Sequence, residues 1–287
     1  MSYLDDGKGQ ALSAGDRMVW GGVYGNRATL DGNANAADVS SGSGGFQAGA
    51  DDWFGDFRLG VMFNAGRTGL RVADRNFSSD SNDYGVGLYG GTQFGATSIA
   101  IGASYQRHDV TSTRTVAFPG FVETLNGDYA AGTGQLFGEI AHSFDLGSAT
   151  LSPFGQIAYV STASDGFTET GGASALTVDR HTEDSVFTTL GARIQSDFVL
   201  GQDMTVKATG ALGWRHAFAD DPTSTASLAG GQSFSATGSP IAEDALIVEA
   251  GLAMTLVTDV TLALNYGGQF ASDATDHNVS ATLAVKF

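Results

Sequence analysis

The last nine residues, Val279-Ser-Ala-Thr-Leu-Ala-Val-Lys-Phe287, decide the reading of this chain. Val279, Ala281, Leu283, Val285 and Phe287 fall on one face, and Ser280, Thr282, Ala284 and Lys286 on the other. A period of two is that of a β-strand, whose successive side chains point to opposite sides. The pattern recurs upstream. Val260, Leu262, Leu264, Tyr266 and Phe270 oppose Thr261, Asn265 and Gln269. Leu246, Val248, Ala250, Leu252, Met254 and Leu256 oppose Glu249 and Thr255. Met204, Val206, Ala208, Leu212, Trp214 and Phe218 oppose Thr205, Lys207, Thr209 and Arg215. Working outward to Arg17, strands are expected near 17–30, 43–53, 57–70, 82–94, 98–112, 130–144, 149–161, 184–200, 204–218, 243–257, 260–270 and 277–287. Most are longer than the roughly 9–11 residues that cross a hydrocarbon core and the roughly 5–6 of an ordinary sheet.

The connections alternate in length. Long ones, rich in Gly, Ser, Asp, Asn and Thr, are expected near 31–42, 71–81, 113–129, 162–183, 219–242 and 271–276. Short ones are expected at Phe54–Asp56, Gly95–Thr97, Asp145–Ser148, Gly201–Asp203 and Thr258–Asp259. Long loops on one side and tight turns on the other mark a bacterial outer-membrane barrel. The expected fold is therefore all-β: a transmembrane antiparallel β-barrel of 12 strands over 17–287. An even strand number puts both barrel ends on the short-turn, periplasmic side and the long loops outside the cell.

Composition agrees. Only 16% of residues are charged, against about 25% in soluble domains. The chain holds 41 glycines and 4 prolines, and its mean hydropathy is −0.02. A net charge of −17 excludes nucleic acid as a natural partner, since its phosphates would be repelled. There is no cysteine, hence no disulfide framework and no thiolate chemistry. The start, MSYLDDGKGQALSAGDR, has neither the basic nor the apolar region of a signal peptide. The chain therefore reads as the C-terminal piece of a longer exported precursor, with Met1 added for expression. Leu4, Ala11 and Leu12, set among polar residues, allow a short helix or a surface arm.

Aromatic residues near strand ends, Trp20, Tyr24, Trp53, Phe54, Phe94, Tyr105, Phe144, Tyr159, Trp214 and Phe218, fit the girdles of a membrane interface. Arg58, Glu139, Arg193, Lys207, Arg215 and Glu249 are expected to face the lumen, because a charge facing lipid costs roughly 2–4 kcal/mol at the midplane. There they can pair, hydrate a pore or hold a threaded segment. Asp51–Asp52, Asp220–Asp221 and Glu183–Asp184 read as solvated acids of loops and strand ends. His108, His142, His181, His216 and His277 show no metal-ligand spacing. No nucleophile–base set can be assembled, so no catalytic, cofactor or metal site is expected.

Several stretches, in order, resemble one family. They are Asp83-Tyr-Gly-Val-Gly-Leu-Tyr-Gly-Gly91, Gly166-Phe-Thr-Glu-Thr-Gly-Gly172, Leu190-Gly-Ala-Arg193, Gly213-Trp-Arg-His-Ala-Phe218, Gly238-Ser-Pro240 and Leu264-Asn-Tyr-Gly-Gly-Gln-Phe270, closed by Phe287. Together they resemble the translocator domain of autotransporters, the type V secretion system of Gram-negative bacteria. The resemblance implies export and anchoring of an N-terminal passenger across the outer membrane, with help from the barrel-assembly machinery. It also implies a linker helix inside the pore, matched in position by residues 1–16. Val279, Ala281, Leu283, Val285 and Phe287 match the assembly signal. Some relatives cleave the passenger between two asparagines in the pore; this linker has no such pair, so that step is not carried over. A passive porin and an outer-membrane enzyme are the alternative functions, and a monomer is the expected state. The membrane reading predicts heat-modifiable migration on gels and β-rich circular dichroism in detergent; a detergent-independent soluble monomer would refute it.

Overall fold

Each alternating segment forms a strand, and most strands continue past the expected limits. The structure is a computed structural model that describes residues 17–32, 37–200, 204–238, 240–257 and 259–287. The linker helix expected over 1–16, the Gly201–Asp203 turn, Thr258 of the Thr258–Asp259 turn, Ser239 of the Gly238-Ser-Pro240 motif and residues 33–36 of the first long loop lie outside the described residues.

The strands are β1 (Met18–Leu30), β2 (Val39–Phe54), β3 (Phe57–Val72), β4 (Phe77–Phe94), β5 (Thr97–Phe118), β6 (Phe121–His142), β7 (Phe144–Asp145), β8 (Thr150–Ser164), β9 (Phe167–Thr168), β10 (Leu176–Val178), β11 (His181–Leu200), β12 (Met204–Ala219), β13 (Thr223–Leu228), β14 (Ser233–Thr237), β15 (Asp244–Val257), β16 (Val260–Phe270) and β17 (Ala274–Lys286). Twelve long strands make a closed antiparallel barrel. Consecutive staves pair, β8 pairs β11, β12 pairs β15, and β1 closes on β17 from Met18↔Lys286 to Leu30↔Ala274. Arg17 and Phe287 extend the seam by exchanging backbone hydrogen bonds of 3.2 and 3.1 Å. Both barrel ends thus lie at the short-turn end of the wall.

Alternation sorts the faces. Leu59, Val61, Phe63, Val86, Leu88, Ile101, Leu190 and Leu212 are all exposed on the outer side. The interior side carries Asp83, Arg58, Thr189, Arg193 and Lys207, all buried. Relative to a soluble sheet protein, the apolar face is turned outward. This suits a hydrocarbon surround, where a closed barrel leaves no unpaired edge.

Three expected aromatic girdle residues go elsewhere. Trp20, Tyr24 and Trp53 share strand parity with interior residues, so they point inward. Trp20 Nε1 donates to Tyr89 Oη at 2.8 Å. Strand-end position alone does not say which face a ring takes. Tyr105, Tyr159, Trp214 and Phe218 do lie exposed on the outer side. At the same rim, Tyr159 Oη donates to Asp184 at 2.8 Å and Trp214 Nε1 to Asp244 at 2.9 Å. Each is a polar tip held at the wet end of an apolar ring.

The long connections also differ from expectation. Residues 113–129 are not a loop: β5 and β6 stay paired to Phe118↔Phe121 across a Pro119-Gly120 turn. Gly120 has φ of 84°, the left-handed value that favours glycine at such a turn. Polar Thr, Ser and Asn alternating on a tall hairpin look like loop composition in the sequence. The long loops 162–183 and 219–242 contain short strands that form a second sheet in the order β14-β13-β10-β9.

Glycines inside the wall make room for rings. A Cβ on Gly60 would sit 2.3 Å from the Tyr89 ring, and one on Gly102 would sit 2.3 Å from the Phe137 ring. Gly60→Leu should therefore lower the midpoint of heat-modifiable unfolding, by roughly 1–3 kcal/mol of overpacking. Gly138→Ala, whose Cβ meets nothing closer than 4.0 Å, should leave the midpoint unchanged.

Candidate functional site

The candidate site is the barrel interior together with its long-loop mouth. Near the short-turn end, β1 to β4 bring Trp20, Asp51, Arg58 and Tyr89 into one cluster. Arg58, 4% exposed, donates from Nε to Asp51 Oδ1 at 2.6 Å and forms an ion pair with it through Nη2. Tyr89 Oη donates to Asp51 Oδ2 at 2.7 Å. Asp51 is thus a buried carboxylate with a guanidinium and a phenol on it, not the solvated loop acid expected from its Asp51–Asp52 setting. Its parity with Gly45 and Gly49, opposite Phe46, is the signal that places it inside. Glu183 and Asp184 sit near the start of β11, with Asp184 exposed, as expected of acids at a strand end.

The other five expected lumen residues do not converge on one point. Arg193 donates to Glu139 at 3.4 and 3.5 Å, and its guanidinium lies 4.8 Å from the centre of the Phe154 ring. Arg215 donates from Nη1 to Gln269 at 2.6 Å and lies 5.9 Å from the Phe187 ring centre. Lys207 is buried, opposite Asp197 in the register. Glu249 is exposed, between Ala211 and Gly267. The charges are spread around the wall, each with neighbours on adjoining strands.

A row nearer the mouth was invisible in the sequence. Asp83, 2% exposed, accepts from Thr68 Oγ1 at 2.7 Å, from Ser81 Oγ at 2.8 Å and from His108 Nδ1 at 2.8 Å. With Nδ1–H committed to that carboxylate, His108 Nε2 can accept from Thr133 Oγ1, 3.1 Å away. Thr133 in turn stands 3.2 Å from Thr162 Oγ1. The carboxylate–imidazole–hydroxyl chain ties adjoining staves together by side-chain hydrogen bonds. Five strands, β3, β4, β5, β6 and β8, contribute to the row, so no local spacing could reveal it. Of its members, only Asp83, the first residue of the Asp83–Gly91 motif, and His108, one of the five histidines, stand out in the sequence.

At the mouth the β8–β11 connection folds against the inner side of the β5–β6 hairpin. Asn126 and Thr170 exchange backbone hydrogen bonds of 2.8 Å. Leu125 is fully buried, and the Tyr129 and Phe167 rings stack at 4.3 Å. Arg114 donates to Glu169 from Nε at 2.9 Å and from Nη2, while Leu176 N donates to the same carboxylate at 2.9 Å. Glu123 accepts from Ala173 N at 3.0 Å, from Ser174 N at 2.9 Å and from Ser174 Oγ. These bonds, first the Ser174 hydroxyl and then the two amides, hold the Glu123 carboxyl below the usual carboxylate range. The Gly166–Gly172 motif is the inner strap of this cap.

Comparison with known proteins follows the same architecture. The family profile described as "Autotransporter beta-domain" matches residues 19–267. Two proteins named "Extracellular serine protease", both from Serratia marcescens, are 31% identical over 281 and 279 residues. Each match covers 96% of this chain, and the chain spans 26% of the length of each relative. The translocator domain of the autotransporter NalP from Neisseria meningitidis has the same fold, with TM-score 0.76 and 14% identity over 99% of this chain and 91% of that one. The beta domain of the Bordetella autotransporter BrkA gives 0.72 and 15%, over 96% and 100%.

Two outcomes test the site. Asp51→Ala leaves Arg58 buried without its carboxylate and should cost about 3–5 kcal/mol, whereas replacing both by leucine should cost much less; urea unfolding in detergent measures the difference. For Glu123 the folded pKa is depressed, so its contribution is present above the unfolded value and lost as pH falls through the folded one. Protection of the Ala173 and Ser174 amides, taken relative to the intrinsic exchange rate at each pH, should fall over that acidic window, and in Glu123→Gln it should no longer vary with pH.

With the closed twelve-stranded wall, the ordered motifs and the match over residues 19–267 in hand, the chain belongs to the autotransporter beta-domain family of bacterial outer-membrane barrels.

Proposed function

We propose that this barrel is the translocator of an autotransporter, serving export and anchoring of a passenger fused ahead of it. The observation that carries the reading is the family match, joined to a chain that spans 26% of relatives named extracellular serine proteases. A secreted passenger, with hydrolase activity by analogy to those names, accounts for the rest of such a protein. The barrel itself works by physical means. Its wall pairs its own backbone groups within lipid, and its polar interior admits a polypeptide.

In this reading both barrel ends are periplasmic and the long-loop cap is extracellular. The linker role falls to residues 1–16, and the interior set Arg58, Glu139, Arg193, Lys207, Arg215 and Glu249 lines the conduit toward the passenger. Spreading of these charges around the wall supports a conduit rather than a single ligand pocket. The barrel-assembly machinery recognises the outward face Val279, Ala281, Leu283 and Val285 of the closing strand β17 with Phe287 just after it, next to the seam. One chain closes its own wall, which supports a monomer surrounded by outer-membrane lipid.

Single-channel conductance tests the plug. The full chain should conduct weakly, and deletion of residues 1–16 should raise conductance severalfold. Equal conductance in both would favour a passive porin. Surface display tests export: with a signal peptide and a reporter domain ahead of Met1, the reporter should become protease-accessible on intact cells.

A further inference from the structure

Charge on the outer face of a membrane barrel demands a reason, because lipid surrounds it. On β1 and β3 the outward parity, set by exposed Val19 and Val23 and by exposed Phe57 to Phe63, continues to Arg27, Arg67 and Arg71. All three are exposed. Between them runs β2, whose outward residues at this level are Ser40, Gly42 and Gly44. The registers are Arg27↔Gly42, Gly44↔Arg67 and Ser40↔Arg71. Two walls of guanidinium thus flank a floor of nearly bare backbone, about 9–10 Å apart across two strand spacings. A Cβ on Gly42 would meet nothing closer than Asn26 O at 3.6 Å, so the floor is open.

The cations are largely uncommitted. Arg27 and Arg71 form no hydrogen bond or ion pair among the described residues, and Arg67 Nε donates only to the neutral amide of Asn82 at 3.2 Å. Asp80 lies on the same face opposite Gly69 but forms no ion pair with Arg67 or Arg71. By contrast Arg107, also outward, is paired with Asp109 at 2.9 Å. The position along the strand matters as much as the charge. Directly below the arginines the same faces carry Val23, Phe46 and Phe63, all exposed, with Val23↔Phe46 and Ala48↔Phe63 in register. The neighbouring seam strand ends its apolar run at the Tyr266–His277 pair, joined at 2.9 Å. The arginines therefore stand just beyond the apolar band, at headgroup level, where an outward cation costs little. Arginine forks match phosphate oxygens in pairs.

We propose that Arg27, Arg67 and Arg71, with the Ser40-to-Gly44 floor of β2, bind a phosphate group on the headgroup of an outer-leaflet glycolipid, its acyl chains lying on the track of Val23, Phe46 and Phe63. The inference rests on the orientation proposed above, which puts the long-loop rim in the outer leaflet. It adds a lipid-binding site on the outside of the wall, separate from the conduit within. Such a lipid would hold β1, β2 and β3 together beside the closing seam.

The test is native mass spectrometry of the full chain released from detergent, titrated with a bisphosphorylated acylated glucosamine disaccharide. The wild type should retain the lipid through detergent release. R27Q/R67Q/R71Q should bind about 100-fold more weakly, as expected for three interfacial cations, while R107Q should bind like the wild type. Heat-modifiable migration of each variant confirms that its barrel is folded. Undiminished binding by the folded triple variant would overturn the proposal, as would equal binding of the dephosphorylated glycolipid. Displacement by millimolar inorganic phosphate would reduce the site to a free-anion site and also overturn it. Labelling of the long loops in intact cells examines the orientation by itself. Loops reached only from the periplasm would remove the outer-leaflet source even with binding in detergent intact.

Discussion

The seam between β1 and β17 is the contact on which everything else depends. It joins the two ends of the barrel over Met18–Leu30, and it is the most non-local pairing in the wall. Without it the sheet has two long edges. In hydrocarbon, each unpaired backbone group on those edges would cost several kcal/mol. Closure removes both edges at once, so the wall is stable as a whole or not at all. A one-residue slip of β17 would turn Val279, Leu283 and Phe287 inward and Ser280, Thr282 and Lys286 into lipid.

Closure also fixes where polar groups can be afforded. The outside must be apolar over the membrane band, so structural charges gather inside, where adjoining strands satisfy them. Arg58 with Asp51 and Tyr89, and Asp83 with His108, Thr68 and Ser81, are networks of this kind. They brace neighbouring staves by side-chain bonds in addition to the backbone ladder. Large rings inside lie over glycines, as Tyr89 over Gly60 does, which gives part of the high glycine content a packing role. The interior is thus polar enough to accept a chain and rigid enough to keep its shape. Beyond the band the constraint relaxes, and the strands run on into a tall hairpin and a four-stranded cap held by carboxylates of Glu123 and Glu169.

Much of this was legible in the sequence. Period-two alternation located all twelve staves, and the lengths of the connections gave their up-and-down order. The family resemblance rested on motifs whose structural roles are now visible. Glu169 within Gly166–Gly172 is the acid that ties the strap, and Phe167 is the ring that packs it. What was misread shares one cause. Trp20, Tyr24 and Trp53 carry only their place near strand ends, Asp51 only its neighbour Asp52, and residues 113–129 only their composition. In each case a one-dimensional cue stood in for a facing direction or for a partner on another strand.

The sequence by itself determined the strand count and the two-sided character of each strand, because those follow from local alternation and from the cost of charge in lipid. Tertiary structure alone decided which groups meet. Asp83, His108 and Thr133 come together only because β4, β5 and β6 lie side by side in one register. Arg27 and Arg67 face each other across Gly42 and Gly44 only because β2 runs between them. The physical reason is that a strand fixes the direction of its side chains locally, whereas their neighbours are set by pairing and stagger across a closed wall, which no single strand encodes.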